Sequence, residues 1–216
     1  MLKERSQVKS PNYTRFYEFD SSVNDICQAC PANQGSDSWK ALQRRVLGAA
    51  VHTNWPRSGA MKKVSKIYIC ESPSDKESSH GFPSVGATGR GIFERQYGDL
   101  REGWLDLLDE KIYRTNIVRC QADAGLQKRV NATLKNQRVR SAFQFCSQHL
   151  SYELDHIFRT SLDQKITSLS FVIAVGHSFP MQIRSVQKLI DEFQLRYGIN
   201  AEVIIRNHPS TIHQDN

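Results

Sequence analysis

The sequence predicts a three-layer α/β/α domain with a central four-stranded parallel sheet, and three observations support this fold class. Four short apolar segments rich in β-branched residues are typical of buried strands. The stretches between these segments are long, and each contains residues with helical periodicity. Strands that alternate with helices form parallel sheets covered on both faces, because each new parallel strand requires a crossover.

The predicted elements begin after a polar N-terminal region. Residues 1–38 form an irregular arm with a short helix near 19–27, and residues 39–216 form one α/β/α domain. Residues 39–51 place Leu42, Val46 and Leu47 on one helical stripe. The predicted strands are residues 66–70, 111–118, 171–176 and 202–206. The helices between them are residues 91–100 with 104–109, then 138–158, then 181–197.

Length and composition exclude several classes of protein. The chain has 216 residues, which is enough for one domain with a substantial core. No apolar run approaches the roughly 18 residues of a membrane-spanning helix, and the first twenty residues lack the apolar region of a signal peptide. We therefore expect a soluble protein of the cytoplasm.

The charge balance favours a polyanionic partner. Lys and Arg number 29 and Asp and Glu number 22, which gives a formal net charge of +7. Basic proteins bind polyanions through the release of counterions. The basic residues are spread along the chain, so they form no low-complexity tail.

The five cysteines argue against a disulfide framework, because their number is odd in a chain expected to be cytoplasmic. Cys27 and Cys30 form a C-x-x-C pair that is typical of half a metal site or of a redox motif. A metal would need two further ligands, and Cys120 and Cys146 are available. The alternative is that these cysteines are small buried core thiols.

Polar residues follow every predicted strand at its carboxyl end, which is the edge where ligands bind in parallel sheets. Glu71, Asp75 and Glu77 follow the first strand, and Asn116 lies near the end of the second. The third strand is followed by His177 and the fourth by His208. Carboxylates, an amide and imidazoles at one edge indicate a catalytic crevice more than an apolar ligand pocket.

The order of these motifs resembles the uracil-DNA glycosylase superfamily, and is most similar to its iron–sulfur branch, family 4. The first motif of that family is similar to residues 70–77 (CESPSDKE) and 81–86 (GFPSVG). Its T-N-I-V-K-C element is similar to residues 115–120 (TNIVRC), and its H-P-S motif is residues 208–210. The resemblance covers residues 23–213.

The resemblance implies a cofactor and a catalytic pair. Cys27, Cys30, Cys120 and Cys146 match the four ligands of the family's [4Fe–4S] cluster, with structural zinc as the alternative. Glu71 is the expected carboxylate that stabilises the sugar cation, and Asp75 and Glu77 are weaker alternatives. His208 is the expected donor to the departing base. The alternative readings are a capping or surface acid for Glu71 and a histidine before a proline turn for His208.

The same resemblance implies residues that contact the base and the DNA. Asn116 is expected to read the base edge, although it could also close the end of a strand. Ser84 stands where the family places the phenylalanine that stacks on the flipped base, and Phe82 lies two residues earlier. The loop of Pro209, Ser210, Ile212 and His213 is expected to enter the minor groove.

The expected function is hydrolysis of the N-glycosidic bond of a flipped-out base in DNA, uracil or a modified pyrimidine, which leaves an abasic site. The protein would be a monomer that acts on single- or double-stranded DNA in a prokaryotic cytoplasm, near the nucleoid. Two alternatives stay open: a relative specialised on bulky modified bases of foreign phage DNA, and a catalytically weak DNA-binding relative. A nucleotide-binding protein is disfavoured, because residues 86–91 (GATGRG) only weakly imitate a phosphate loop.

Overall fold

Strands and helices alternate along the part of the chain that the computed structural model describes, which is residues 30, 65–80, 84, 86–104, 112–122, 126 and 132–207. The elements are β1 (Lys66–Cys70), α1 (Asp75–His80), α2 (Ala87–Tyr97), β2 (Ile112–Asn116), α3 (Ala132–Asp163), β3 (Ser168–Ala174), α4 (Pro180–Tyr197) and β4 (Asn200–Ile205).

The four strands form one parallel sheet in the order β2-β1-β3-β4. This confirms the predicted four-stranded parallel sheet. The two central strands, β1 and β3, are mostly buried, as expected for apolar strands covered on both faces. Cys70 at the end of β1 is in register with Asn116 on one side and Ala174 on the other. The carboxyl ends of the three strands therefore lie side by side.

Helices cover both faces of the sheet, which makes three layers. Tyr68 and Cys70 point to the face where Ile92 and Phe93 of α2 pack. Ile67 and Ile69 point to the opposite face, where the larger core is formed with α3 and α4. In this larger core Phe158 of α3 stacks on Phe171 of β3 at a ring-centroid distance of 5.6 Å.

Local sequence signals explain where the helices begin and end. The 32 residues of α3 contain neither glycine nor proline, so nothing in the sequence interrupts the helix. Helix α4 begins with Pro180, which suits the first turn because its missing N–H needs no partner there. It ends at Tyr197 and is followed by Gly198 in the left-handed conformation (φ 65°), whose N–H donates to the Gln194 carbonyl.

The structure also corrects several predicted boundaries. Strand β3 begins at Ser168 and not at residue 171, because Ser168 and Leu169 pair with β4 and Ser170 pairs with both β1 and β4. Helix α3 extends beyond residues 138–158 at both ends. Helix α2 begins at Ala87 and not at residue 91, and it stops before Gly98. The predicted helices at 19–27 and 39–51, most of the predicted 104–109 segment, and most of the proposed N-terminal arm lie outside the described residues.

No helix in the described ranges is long and apolar enough to cross a membrane.

Candidate functional site

The strand order indicates where a ligand crevice is expected, at the carboxyl ends of β1 and β3. In an open parallel sheet, ligands bind at the switch point, where the connections of two neighbouring strands leave towards opposite faces. Strand β1 is followed by α2 on one face, and β3 is followed by α4 on the other. The residues directly after these two strands are therefore the first candidates for chemistry. They are Glu71 after β1, and Gly176 and His177 shortly after β3.

Glu71 is a buried carboxylate at this switch point, with 8% of its surface exposed. The Lys135 ammonium at the start of α3 lies 2.6 Å from Glu71 Oε1 and forms an ion pair with it. The other oxygen, Oε2, is directed towards Gly176, where an added Cβ would lie 3.5 Å from it. A Cβ at position 176 would make an ordinary van der Waals contact with this oxygen, so Gly176 lies directly beside it. Oε1 of Glu71 is therefore paired with Lys135, whereas Oε2 lies beside Gly176.

Asn116 lies beside β1 at the same edge, in register with Cys70. Asn116 is 1% exposed, and its Nδ2 has no hydrogen-bond partner among the residues that the structure describes. An unpaired buried donor costs about 1–3 kcal/mol. Asn116 therefore has an unmet capacity to donate a hydrogen bond close to the end of β1, where Glu71 follows.

Cys70 is a core residue and not a nucleophile. Burial raises the pKa of its thiol strongly, and the nearby Glu77 carboxylate raises this pKa further. The reactive form of cysteine is the thiolate, so a buried thiol with a raised pKa is inert. Cys70 packs with the β1 and α2 residues of the smaller core.

Glu77 has a structural role at the start of α1. Its Oε2 accepts a hydrogen bond from the Ser74 N–H at 2.8 Å, and the Glu77 N–H donates to Ser74 Oγ at 3.4 Å. This reciprocal pair is a capping box, with Ser74 as the N-cap and Glu77 three residues later. Glu77 Oε1 also accepts a hydrogen bond from the Ser84 N–H. Both oxygens of Glu77 are therefore engaged by backbone groups, whereas Asp75 in the same turn is exposed.

The position of Ser84 is fixed by contacts of its backbone N–H and carbonyl groups. It has a φ of 59°, in the left-handed region, and it is 1% exposed. Its carbonyl approaches α2 so closely that a Cβ at Gly89 would lie 1.6 Å from the Ser84 oxygen. The glycine at position 89 is required by this approach. The place of Ser84 is thus fixed by Glu77 on one side and by α2 on the other.

A buried charged network, which the sequence analysis missed, joins the end of β2 to α3. Arg119 forms an ion pair with Glu153 of α3 at 2.5 Å and donates to the Asn116 carbonyl at 2.6 Å. Arg119 also donates to Thr115 Oγ1, and the Thr115 hydroxyl donates to Glu153 Oε2 at 2.7 Å. Glu153 was detectable in the sequence as an acid on the apolar stripe that contains Leu150, Leu154 and Ile157. The network holds the backbone of Asn116 in place.

Three of the four predicted cluster ligands share one environment. Cys30, Cys120 and Cys146 are buried and belong to the same core on the α3 face of the sheet. Thiolates are the donors that iron–sulfur clusters and structural zinc require, so this donor set fits either group. Within the described residues, no group of three or more His, Cys, Asp or Glu side chains is arranged to hold a metal ion. Cys27, the fourth predicted ligand, lies outside the described residues.

The remaining predicted site residues also lie outside the described part of the chain. They are Phe82, His208, Pro209, Ser210, Ile212 and His213. Strand β4 and the residues that follow it to Asn207 lead directly to His208. The carboxyl end of β4 is thus described up to the residue before the H-P-S motif.

Comparison with known proteins assigns no family. No family model matches the chain, and no curated protein matches it.

Proposed function

We propose that the protein is a DNA glycosylase that hydrolyses the N-glycosidic bond of a flipped-out base and leaves an abasic site. The observation that carries this proposal is the buried Glu71 carboxylate at the switch point of a doubly wound parallel sheet, paired with Lys135 and facing Gly176. The resemblance of the motifs to the iron–sulfur uracil-DNA glycosylases supports the same assignment.

The reaction breaks the bond between C1′ of the deoxyribose and the ring nitrogen of the base. The electron pair leaves with the base, and C1′ gains the character of an oxocarbenium cation. Glu71 would stabilise this cation and accept a proton from the water that attacks C1′. Because Lys135 pairs with Oε1, the carboxylate is held in one orientation for this work.

The departing base carries negative charge on its ring and oxygens, so it needs hydrogen-bond donors. The Nδ2 group of Asn116 is a buried donor that no described residue accepts from, and a carbonyl oxygen of the base would satisfy it. Arg119 supports this role by holding the Asn116 carbonyl. His208 is proposed as a second donor, and Pro209, Ser210, Ile212 and His213 as the loop that contacts the DNA.

Ser84 and Phe82 are proposed to border the base pocket. Ser84 has no ring to stack on a base, and its left-handed backbone disfavours replacement by a bulkier residue. If the stacking ring comes from this segment, Phe82 is therefore the residue to supply it.

A structural [4Fe–4S] cluster held by Cys27, Cys30, Cys120 and Cys146 is part of the proposal. When bound, this group would tie the C-x-x-C segment to the residues after β2 and to α3, as a folding element without a role in bond cleavage. Structural zinc on the same four thiolates is the alternative.

The function can be tested by incubating the purified protein with a panel of oligonucleotides. The panel carries uracil, deaminated purines and bulky modified cytosines, each in single- and double-stranded form, and alkaline cleavage at abasic sites is the readout. We expect strand cleavage with at least one member, and its identity separates plain uracil from a modified base. DNA binding without abasic sites on any member would overturn the proposal in favour of a catalytically inactive DNA-binding relative.

A further inference from the structure

A positively charged groove lies on the surface beside the proposed active site. It has a volume of about 460 Å³ and is lined by Arg95, His177, Ile205, Arg206 and Asn207. Arg95 comes from the last turn of α2, His177 follows β3, and the other three residues end β4 or follow it. We call this feature the Arg95–Arg206 groove. The groove is shallow and largely open to solvent.

Among the residues that the structure describes, the lining of the groove supplies two guanidinium groups and an imidazole but no carboxylate to neutralise them. In the described part of the chain, neither Arg95 nor Arg206 forms an ion pair. Arg95 donates one hydrogen bond, to the Asn207 carbonyl at 3.2 Å. Partial burial lowers the pKa of Arg95, and the nearby positive charge of Arg206 lowers it further, partly offset by Tyr68. An anion in the groove would relieve this repulsion between like charges.

Arginine side chains favour phosphate among the available anions. Each guanidinium presents a planar fork of N–H donors that matches two oxygens of a phosphate group. Arg95 is partly buried and held by its hydrogen bond, so it loses less freedom on binding than an unrestrained surface arginine. Arg206 and His177 are exposed and accessible from solvent.

The position of the groove relates it to the proposed catalytic carboxylate. His177 lines the groove, and the preceding residue, Gly176, is the one towards which Glu71 Oε2 is directed. A strand whose phosphate occupied the groove would therefore pass the mouth of the crevice that contains Glu71.

We infer that the Arg95–Arg206 groove binds a backbone phosphate of the DNA strand that carries the target base. This inference deepens the proposed function and rests on it for the identity of the strand. The groove would recognise a phosphate group in either case. The test must therefore separate a phosphate of the DNA backbone from a free phosphate or a nucleotide.

The test measures binding of a fluorescent single-stranded oligonucleotide without a modified base, as a function of salt. We expect Arg95→Gln and Arg206→Gln each to weaken binding about fivefold at low salt. We also expect each to reduce the slope of log K against log salt by about 0.7, the value for one lost phosphate contact on a single strand. Lys188→Gln is the matched control. It removes the same charge from an exposed position on α4, outside the groove, and should leave the slope unchanged. Thermal melting of each variant checks that the fold is intact.

Two outcomes would overturn the inference. Equal slopes for wild type and both groove variants would show that no DNA phosphate binds there. Inorganic phosphate or pyrophosphate that binds tightly to the wild type by calorimetry, without any change in oligonucleotide affinity in the variants, would assign the groove to a free anion.

The salt titration, taken together with the oligonucleotide panel, separates this inference from the proposed function. Binding that depends on Arg95 and Arg206, without base release from any member of the panel, would refute the glycosylase and leave the phosphate groove standing. Base release by the wild type, with the salt slopes unchanged in both groove variants, would refute the phosphate groove and support the glycosylase.

Discussion

The three acids that follow β1 have different structural roles. Glu71 is buried in the crevice and paired with Lys135, Asp75 is exposed, and Glu77 is used by backbone groups. The spacing of Ser74 and Glu77 is that of a capping box, so the sequence alone could have separated Glu77 from the other two. Glu71 is the one of the three whose surroundings suit the proposed chemistry.

Glu77→Ala should lower the free energy of unfolding by about 2 kcal/mol or more. The loss of the capping box costs about 1 kcal/mol, and the buried Ser84 N–H loses its acceptor, which costs about 1–3 kcal/mol. Urea unfolding followed by circular dichroism measures the change. Asp75→Ala, in the same turn, is the control and should have a much smaller effect because Asp75 is exposed. Equal effects of the two substitutions would contradict the assigned role of Glu77.

At the scale of single elements, α3 connects the ends of the strands to the larger core. It carries Lys135, which pairs with Glu71, and Glu153, which pairs with Arg119. Glu71, which follows β1, and Arg119, which follows β2, are therefore both attached to the same helix. The orientation of the site residues therefore depends on α3.

Glu153→Gln should lower the free energy of unfolding by about 3 kcal/mol or more. The substitution leaves the buried Arg119 charge without its carboxylate, and breaking a buried pair from one side costs about 3–5 kcal/mol. Glu192→Gln is the matched control, since its pair with Lys188 is exposed and 3.9 Å long. Exposed pairs contribute about 0–1 kcal/mol. A Glu153 variant as stable as the Glu192 variant, in the same urea titration, would refute the network.

His156 on α3 should make stability depend on pH. Burial lowers the pKa of its imidazole, and the neighbouring Arg159 lowers it further, with Asp155 opposing. The unfolded chain therefore binds a proton at a higher pH than the folded protein does. The contribution of His156 is present above about pH 6.5 and is lost as the pH falls through the folded pKa. The free energy of unfolding of His156→Gln, measured from pH 7.5 to pH 5 (about one unit above and about 1.5 units below the unfolded pKa), should fall less than that of the wild type. If the free energy of unfolding fell equally with pH in the variant and the wild type, the proposed effect of His156 on stability would be excluded.

The elements show what periodicity predicts well and what it misses. Strand β1 and helix α4 lie at or within one residue of their predicted bounds, because strong apolar patterns and Gly198 mark them. Strand β3 begins earlier than predicted because Ser168 and Ser170 are polar, and only their pairing partners place them in the sheet. Helix α3 is longer than predicted because its ends are mostly polar, and their leucines, Leu134 and Leu162, are exposed and do not continue the buried apolar stripe. Partners distant in the sequence decide such boundaries.

At the scale of the whole molecule, the strand order is what the sequence could not supply. The sequence places polar residues after each strand but does not say which strands are neighbours. The order β2-β1-β3-β4 brings Glu71 next to Gly176 and Cys70 next to Asn116. The Arg119–Glu153 network and the Arg95–Arg206 groove also depend on contacts between distant parts of the chain. The resemblance of the motifs identified individual candidate site residues. The topology of the sheet determines which of these residues lie next to each other.

The proposed cluster concerns the whole molecule, since its predicted ligands span residues 27–146. The protein purified without oxygen should be brown and contain about four iron and four sulfide per chain. Cys146→Ser should lose the colour and the solubility, because cluster binding and folding are coupled. Cys70→Ser is the control and should keep the colour, since Cys70 packs on the other face of the sheet. Colourless protein with one zinc per chain, by elemental analysis, would establish the zinc alternative.

The rate of base release by Glu71→Gln tests the central claim most directly. The measurement is single-turnover release of the free base from the panel substrate that the wild type cleaves best, quantified by mass spectrometry. Oligonucleotide binding is measured on the same preparations. We expect Glu71→Gln to bind DNA with wild-type affinity but to release base at least about 100-fold more slowly, since it loses the charge that stabilises the sugar cation. Asp75→Asn should release base close to the wild-type rate. Wild-type rates in Glu71→Gln would contradict the assignment of the switch-point carboxylate and, with it, the mechanism proposed for this protein.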